Sequence, residues 1–314
     1  MSVVKKFILF VRPVVVGRLP ALARVYRYMR DNYWAKARAK VRNTTLAVAC
    51  QYRRDNRPMV DEPRDTPMGF KLIGDPAMEK GLFEPVETEI VRSILDNVEV
   101  VVNVGANIGY YCCLALRRGK HVVAFEPMSG NLRHLYKNIM ANGWTDRIEI
   151  FPMALSDRVG VIEIFGGRTG ASLVKGWADT PERYVEIVPT STLDNILGSR
   201  FQGRKCLVLV DIEGAEKLAL EGATSFLSAE PRPVWMVEIA ITAHQPKGTT
   251  INPHLLPTFE IFWERGYEAW TADESMRLVL PAEVEAIVES GEDTLLTHNF
   301  LFIEEGRKME ILPA

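Results

Sequence analysis

The chain predicts an α/β fold: an open, largely parallel sheet with helices on both faces. Three observations carry this expectation. Short apolar runs alternate with helical patterns over residues 98–303, the first run ends in a glycine turn that opens a helix, and the next run ends in an acid. At 314 residues, with 47% hydrophobic and 25% charged side chains, the chain can bury one substantial core and still carry an extension.

The elements follow in order. Residues 98–104 are valine-rich and end at Gly105, as expected of a strand buried on both faces. A helix is predicted over 108–118, opening at Ile108, then a strand over 121–125 that ends before Glu126-Pro127. A helix over 129–142 leads to a strand over 147–152. Val161–Phe165 and Tyr184–Val188 interrupt the alternation as two strand-like runs around a stretch holding Gly166, Gly167 and Gly170. They read as a hairpin-like insertion near the mouth of a pocket, where loops carry specificity. The alternation resumes with strand 206–211, helix 215–227, strand 233–239, helix 255–265, and strands 267–271 and 297–303.

The turn after the first strand points to a nucleotide-type cofactor. Gly105 lets the backbone turn sharply, Gly109 lets the start of the helix approach a ligand, and exposed N–H groups there favour a carboxylate-bearing moiety. Glu126 lies 21 positions after Gly105, where an acid can accept hydrogen bonds from both ribose hydroxyls. A dinucleotide fingerprint would need a second glycine where Asn107 stands, so a small zwitterionic tail such as the methionine part of S-adenosylmethionine fits better.

A second signature follows the strand at 206–211, which ends in Asp211, with Glu213 and Glu216 around Gly214. Asp211 could cap the next helix and Glu216 could complement its dipole, but three acids at one strand end exceed what capping needs. Asp211 is the first candidate to act as base or to orient an acceptor. Glu213 and Glu238 are reserves, and His244 is an alternative base. Asp211 and Glu238 could instead present oxygens to Mg²⁺, a version not favoured because no clear third ligand is present.

The net charge of −2 hides an asymmetry: residues 1–60 hold 14 Lys and Arg against 2 Asp and Glu, leaving 24 against 38 in the remainder. Leu22, Val25, Tyr26, Met29 and Tyr33 form a helical apolar stripe among Arg24, Arg27 and Arg30. Residues 1–66 are therefore read as a basic amphipathic extension and linker, and 67–314 as the catalytic domain. The stripe could pack on the body, with its charges paired to the acidic domain, lie on an anionic membrane, or meet nucleic acid. The apolar stretch Phe7–Val16 is broken by Arg12-Pro13 and is too short to span a bilayer, so a cytoplasmic protein is expected, with a peripheral place on the inner face of a membrane open to it. Cys50, Cys112, Cys113 and Cys206 contain no C-x-x-C pair and read as core residues in a reducing compartment.

Taken together, Val101–Tyr110, Phe125-Glu126-Pro127, Ala154-Leu155-Ser156-Asp157, Thr192-Leu193-Asp194 and Asp211–Glu216 resemble, in this order, the FkbM-type methyltransferases. Phe83-Glu84-Pro85, Gly170–Leu173 and Val237-Glu238-Ile239 are similar to that family as well, so the likeness covers nearly all of 69–303. The resemblance implies a seven-stranded, mostly parallel Rossmann-like class I sheet and an S-adenosylmethionine-dependent O-methyltransferase. Its acceptor would be a hydroxyl of a sugar, glycoconjugate or natural product. It places Asn103, Gly105, Ala106, Asn107, Gly109, Tyr110, Glu126, Pro127, Ala154, Leu155, Asp157 and Asp211 around the cofactor. Two positions depart from the pattern: Asn103 stands for the usual Asp and Leu209 for the usual Lys. These departures leave a second reading open, a weakened cofactor-binding module acting through its basic arm. Methylation of nucleic acid is a third and is not expected, since no Pro-Pro-aromatic strand end is present.

Overall fold

The computed structural model describes residues 62–167 and 170–311. The stripe Leu22–Tyr33 and the rest of 1–61 lie outside the described residues. Arg64–Asp65 (β1), in the stretch read as a linker, pairs antiparallel with Lys71–Leu72 (β2) beyond it. Two helices precede the main sheet, Pro76–Lys80 (α1) and Pro85–Leu95 (α2), and each has proline in its first turn, where a missing N–H costs nothing.

The first core strand is Val100–Val104 (β3), followed by helix Tyr110–Arg117 (α3), strand His121–Phe125 (β4), helix Ser129–Ala141 (α4) and strand Ile148–Phe151 (β5). Ala154–Leu155 (β6), Gly160–Phe165 (β7) and Val185–Ser191 (β8) form a separate three-stranded sheet. The expected hairpin is present, with β7 and β8 antiparallel and Glu163 opposite Ile187. After helix Leu193–Leu197 (α5) come strand Cys206–Val210 (β9), helices Glu216–Glu221 (α6) and Thr224–Leu227 (α7), and strand Val234–Glu238 (β10). Helix Leu255–Trp263 (α8), strands Tyr267–Thr271 (β11) and Leu278–Val279 (β12), helix Pro281–Ser290 (α9), strand Asn299–Glu304 (β13) and helix Lys308–Ile311 (α10) complete the order.

The main sheet has eight strands in the order β12-β11-β13-β10-β9-β3-β4-β5, which corrects the expected seven-stranded, mostly parallel sheet. Strands β10, β9, β3, β4 and β5 are parallel, whereas β13 runs antiparallel to both β10 and β11. The crossover through α8 leaves a one-strand gap between β10 and β11, and the last long strand fills it from the opposite direction. The eighth strand, β12, is two residues long and pairs Ala269 with Val279, too short to show as an apolar run.

The expected helix 215–227 is split into α6 and α7. At Gly222 a Cβ would stand 2.1 Å from the carbonyl oxygen of Ser156, so that backbone approach interrupts the helix.

Alternating side chains divide the core in two. Val102, Val123, Val208, Trp235, Phe262 and Phe302 pack on one face, with the Phe262 and Phe302 rings stacked at 3.7 Å. Val101, Val122, Leu207, Leu209, Leu116 and Leu135 pack on the other. Leu209 is therefore an apolar core residue with no charge to present. Cys112, Cys113 and Cys206 are free and buried, and burial pushes the thiols of Cys112 and Cys206 up to about 12, so they stay protonated.

Candidate active site

The strand order reverses between β3 and β9: chain order runs outward through β4 and β5 on one side and through β10 on the other. Loops at the carboxyl ends of β3 and β9 diverge there, leaving a crevice. Gly105 leaves β3 at φ +84, and a Cβ on it would lie 1.9 Å from the carbonyl oxygen of Asp211. Only glycine lets these two backbone segments touch.

Two cavities flank this contact, and Gly105, Asn107 and Asp211 line both. The first encloses about 580 Å³ and is walled by Glu126, Pro127, Met153, Leu155, Leu173 and Glu213. Ala154, Ile164 of β7 and Ala171 of the β7–β8 connection also line it. The second encloses about 570 Å³ between α2, α3 and the strand ends, walled by Glu84, Asn103, Tyr110, Tyr111, Met236 and Glu238. Ala106 faces it too.

Glu126 is 3% exposed and organises the first cavity. Its Oε2 accepts the Asn107 N–H at 2.7 Å and its Oε1 accepts the Met128 N–H at 2.7 Å. The Asn131 side chain also bonds the carboxylate, which leaves room for about one further donor, such as a ribose hydroxyl. Burial pushes its pKa up to about 7, against the pull of those N–H donors.

Four N–H groups of the turn are engaged within the protein. Gly105 and Ala106 both donate to the Phe125 carbonyl, Asn107 donates to Glu126, and Gly109 donates to the Ala106 carbonyl. Gly109 also has a different reason to be glycine: a Cβ there would sit 2.3 Å from Leu135 Cδ1, so its bare face admits α4 and no ligand. Asn103 is buried with its Nδ2 donating to Cys112 Sγ at 3.4 Å.

Asp211 projects from the end of β9 into the space shared by the cavities. It reaches solvent through them yet is surrounded by protein, and Glu238, Glu213 and Glu84 face it. Crowding by protein and the neighbouring carboxylates raise its pKa well above the ordinary value, and Glu238 at the end of β10 is pushed up to about 7 by burial and Glu213. The two carboxyl groups are within hydrogen-bonding reach, so the titration of each depends on the other.

Three other acids and the histidine have different placements from those expected. Glu213, in a left-handed backbone conformation, accepts the indole N–H of Trp177 at 2.7 Å while its carbonyl accepts the Ser172 hydroxyl at 2.5 Å. It latches the insertion over the strand end, and the Trp177 ring occupies the space above Gly214. Glu216 turns its Oε1 back to the Gly214 N–H at 2.8 Å, outside both cavities. Asp157 is exposed, bonded to the Ser156 hydroxyl and paired with Arg158, and lines neither cavity. His244 is half exposed beside Glu213 at 3.9 Å and also lines neither.

Glu84, Tyr111, Asn131 and Asn299 join the site without having been singled out. Phe83-Glu84-Pro85 was the available signal for the first, since an acid before a helix-starting proline stands out; the others lie within ordinary helix and strand patterns. Among the described residues no group of three or more His, Cys, Asp or Glu side chains is arranged to hold a metal ion.

The buried acids set a stability profile. A carboxyl raised from 4.5 to about 7 on folding binds its proton more tightly in the folded state. Its contribution is complete below the unfolded value and is lost as pH rises through the folded one, up to about 3 kcal/mol per group. Thermal melts should therefore show the ligand-free protein gaining stability as pH falls from about 7.5 to about 5.5. Glu216→Gln keeps the acceptor for Gly214 and should flatten that slope while stabilising the protein at the upper pH. A variant less stable than the parent there would contradict the assignment.

The family model described as the methyltransferase FkbM domain matches residues 103–269. No curated protein matches the chain by sequence. Among solved structures, the chain is similar to a precorrin-6y C5,15-methyltransferase from Geobacter metallireducens GS-15, at 10% identity and TM-score 0.35, covering 64% of this chain and 78% of that one. An rRNA methylase from Streptococcus thermophilus matches at 12% identity and TM-score 0.33, covering 68% of this chain and 90% of that one.

Proposed function

This chain belongs to the FkbM methyltransferase family and is an S-adenosylmethionine-dependent methyltransferase; from that premise we propose that it methylates a hydroxyl group of a sugar, glycoconjugate or natural product. The observation that carries the reading is the Asp211–Glu238 carboxyl pair, set at the crevice with the two groups within hydrogen-bonding reach of each other. A hydroxyl is a weak nucleophile until its proton is accepted, and a base that titrates near the working pH does this most effectively.

The residues present fit the cofactor. Glu126 would hold the ribose through its remaining acceptor capacity, and Met153, Leu155 and Leu173 would wall the adenine. Bound S-adenosylmethionine supplies a methyl group already activated on a sulfonium. Asp211 would orient the acceptor hydroxyl and take its proton, which Glu238 can share. Glu213 would hold the insertion in place through Trp177. Alignment of this kind is worth effective molarities of about 10⁵–10⁸ M. Residues 1–66 would form a separate basic extension able to reach an anionic surface, and 67–314 the catalytic domain. No helix among the described residues is long and apolar enough to cross a membrane.

The reading is tested by following labelled methyl from S-adenosylmethionine into hydroxyl-bearing sugars and glycolipids and asking whether the product bond survives mild base, as an ether does. Label found only on nitrogen or as a base-labile ester would replace it. Calorimetry on Glu126→Ala should show S-adenosylmethionine binding weakened by about 1.5–3 kcal/mol, the value of hydrogen bonds to a charged group. Unchanged affinity would remove Glu126 from the ribose.

A further inference from the structure

The connection between β7 and β8 reaches the strand ends of the main sheet where three chain segments meet. Trp177, 2% exposed, donates its indole N–H to Glu213 Oε2 at 2.7 Å, on the loop after β9. The next residue, Ala178, donates its backbone N–H to the His244 carbonyl at 2.8 Å, on the loop after β10. The Trp177 ring fills the space above Gly214 and meets the His244 ring edge-on at 6.0 Å. Residues 177–178 thus fasten the loop that follows Asp211 to the loop that follows Glu238.

The sheet itself does not space these two acids. The ladder between β9 and β10 ends with Val210 opposite Val237, so Asp211 and Glu238 lie one step beyond it. Glu213 follows Asp211 by two positions. The loop from Glu238 to His244 is stiffened by Asn252, whose Nδ2 donates to the Ala240 carbonyl at 2.9 Å. A displacement at the junction is therefore carried to both strand ends. Backbone strain also collects there. Among the described residues eight non-glycine residues hold positive φ, and four of them, Ala178, Asp179, Glu213 and His244, belong to this junction. Such conformations cost free energy, persist only where the surroundings over-determine them, and cluster at functional sites.

We propose that Trp177 is a positioning residue for methyl transfer: by clamping the loops after β9 and β10 it holds the Asp211 and Glu238 carboxyl groups at hydrogen-bonding separation. The proposal rests on the reading of that pair as the base. Trp177 lines neither cavity, so it acts through the loops alone. An indole suits the task because its N–H only donates and its ring is rigid, which fixes the direction of the Glu213 side chain. The other end of the same connection has a separate duty. Ala171 and Leu173 wall the first cavity, and Ser172 between them bonds the Glu213 carbonyl.

The test follows the titration of the Glu238 carboxyl by carbon NMR on full-length protein. Asp211→Leu removes the hydrogen bond that pulls Glu238 down, so its midpoint should rise by about one pH unit or more in the parental background. The same step is then made in Trp177→Phe, which keeps a ring above Gly214 and loses the N–H. It is made again in Glu213→Gln and Glu213→Leu, which lose the same charge while only glutamine keeps an acceptor for the indole. Glu84 and Glu216, the other acids facing the pair, are constant throughout. The rise should fall to about half or less in Trp177→Phe and Glu213→Leu and be retained in Glu213→Gln, a pattern that a general loss of packing does not produce. Equal rises in all these backgrounds overturn the proposal. So does S-adenosylhomocysteine affinity weakened about tenfold in Trp177→Phe with the rise intact, which assigns Trp177 to the cavity wall instead. If Asp211→Leu leaves Glu238 unmoved in the parental protein, the coupled pair itself fails, independently of Trp177, and the proposal falls with it.

Discussion

Asp211→Asn lowers methyl transfer by about 10²–10⁴-fold, the usual contribution of a positioned base, while S-adenosylmethionine affinity stays within a few-fold. Asparagine preserves the shape of the side chain and can still accept one hydrogen bond, so the loss reports on proton acceptance. The neighbouring carboxylates sharpen the expectation. Without Asp211, Glu238 stays raised, because burial and Glu213 push it up and its hydrogen bond with Asp211 pulls it down. The pH–rate profile of any residual activity should therefore not move to lower pH. Measuring kcat across pH and binding by calorimetry separates the outcomes: lost binding with intact turnover would place Asp211 on the cofactor. If chelators abolish activity and Mg²⁺ restores it, the acids serve a metal first.

Gly105→Ala is expected to cost about 2–5 kcal/mol of stability, combining left-handed backbone strain with overpacking against a neighbour that cannot step aside. The added Cβ would meet backbone, the Asp211 carbonyl oxygen at 1.9 Å and its carbon at 2.9 Å, so β3 and β9 must separate at the crevice. S-adenosylmethionine binding should fall with the fold. Gly143→Ala is the matched control, because Gly143 has φ +69 with nothing within 4 Å of its Cβ position. It should lose only about 1–2 kcal/mol. Denaturant melts of the pair measure the contact by difference, and equal losses would show that close approach at Gly105 contributes nothing.

The seven longer strands were legible because strands buried on both faces must be apolar throughout, and runs such as Val100–Val104 and Cys206–Val210 are. The glycine turn and Glu126 were legible for a related reason: positive φ and a strand-end acid leave residue types that few other environments select. Helix α2 is marked by Pro85 and by the spacing of Ile90, Val91 and Ile94, but it lies before the first valine run, outside the alternation that defines the fold class. Asp157 and His244 carried the right chemistry for a site but sit beyond its walls, and nothing local to either residue tells an exposed loop from a cavity lining.

By itself, the sequence determined the α/β class, the position of the crevice and the two acids, Glu126 and Asp211, that face it. Those features follow from short-range constraints, strand periodicity and the backbone needs of glycine. Tertiary structure alone decided the direction of β13 and the partners of the remaining acids. Glu213 and Glu216 are three residues apart in one acidic run, yet one meets the Trp177 indole brought by the insertion and the other turns back to Gly214. Glu84 and Glu238, 154 positions apart by number, meet in one cavity because α2 and β10 pack at the same end of the sheet. Such placements depend on long-range packing, and the charge each carboxyl carries depends on which other acids that packing brings beside it.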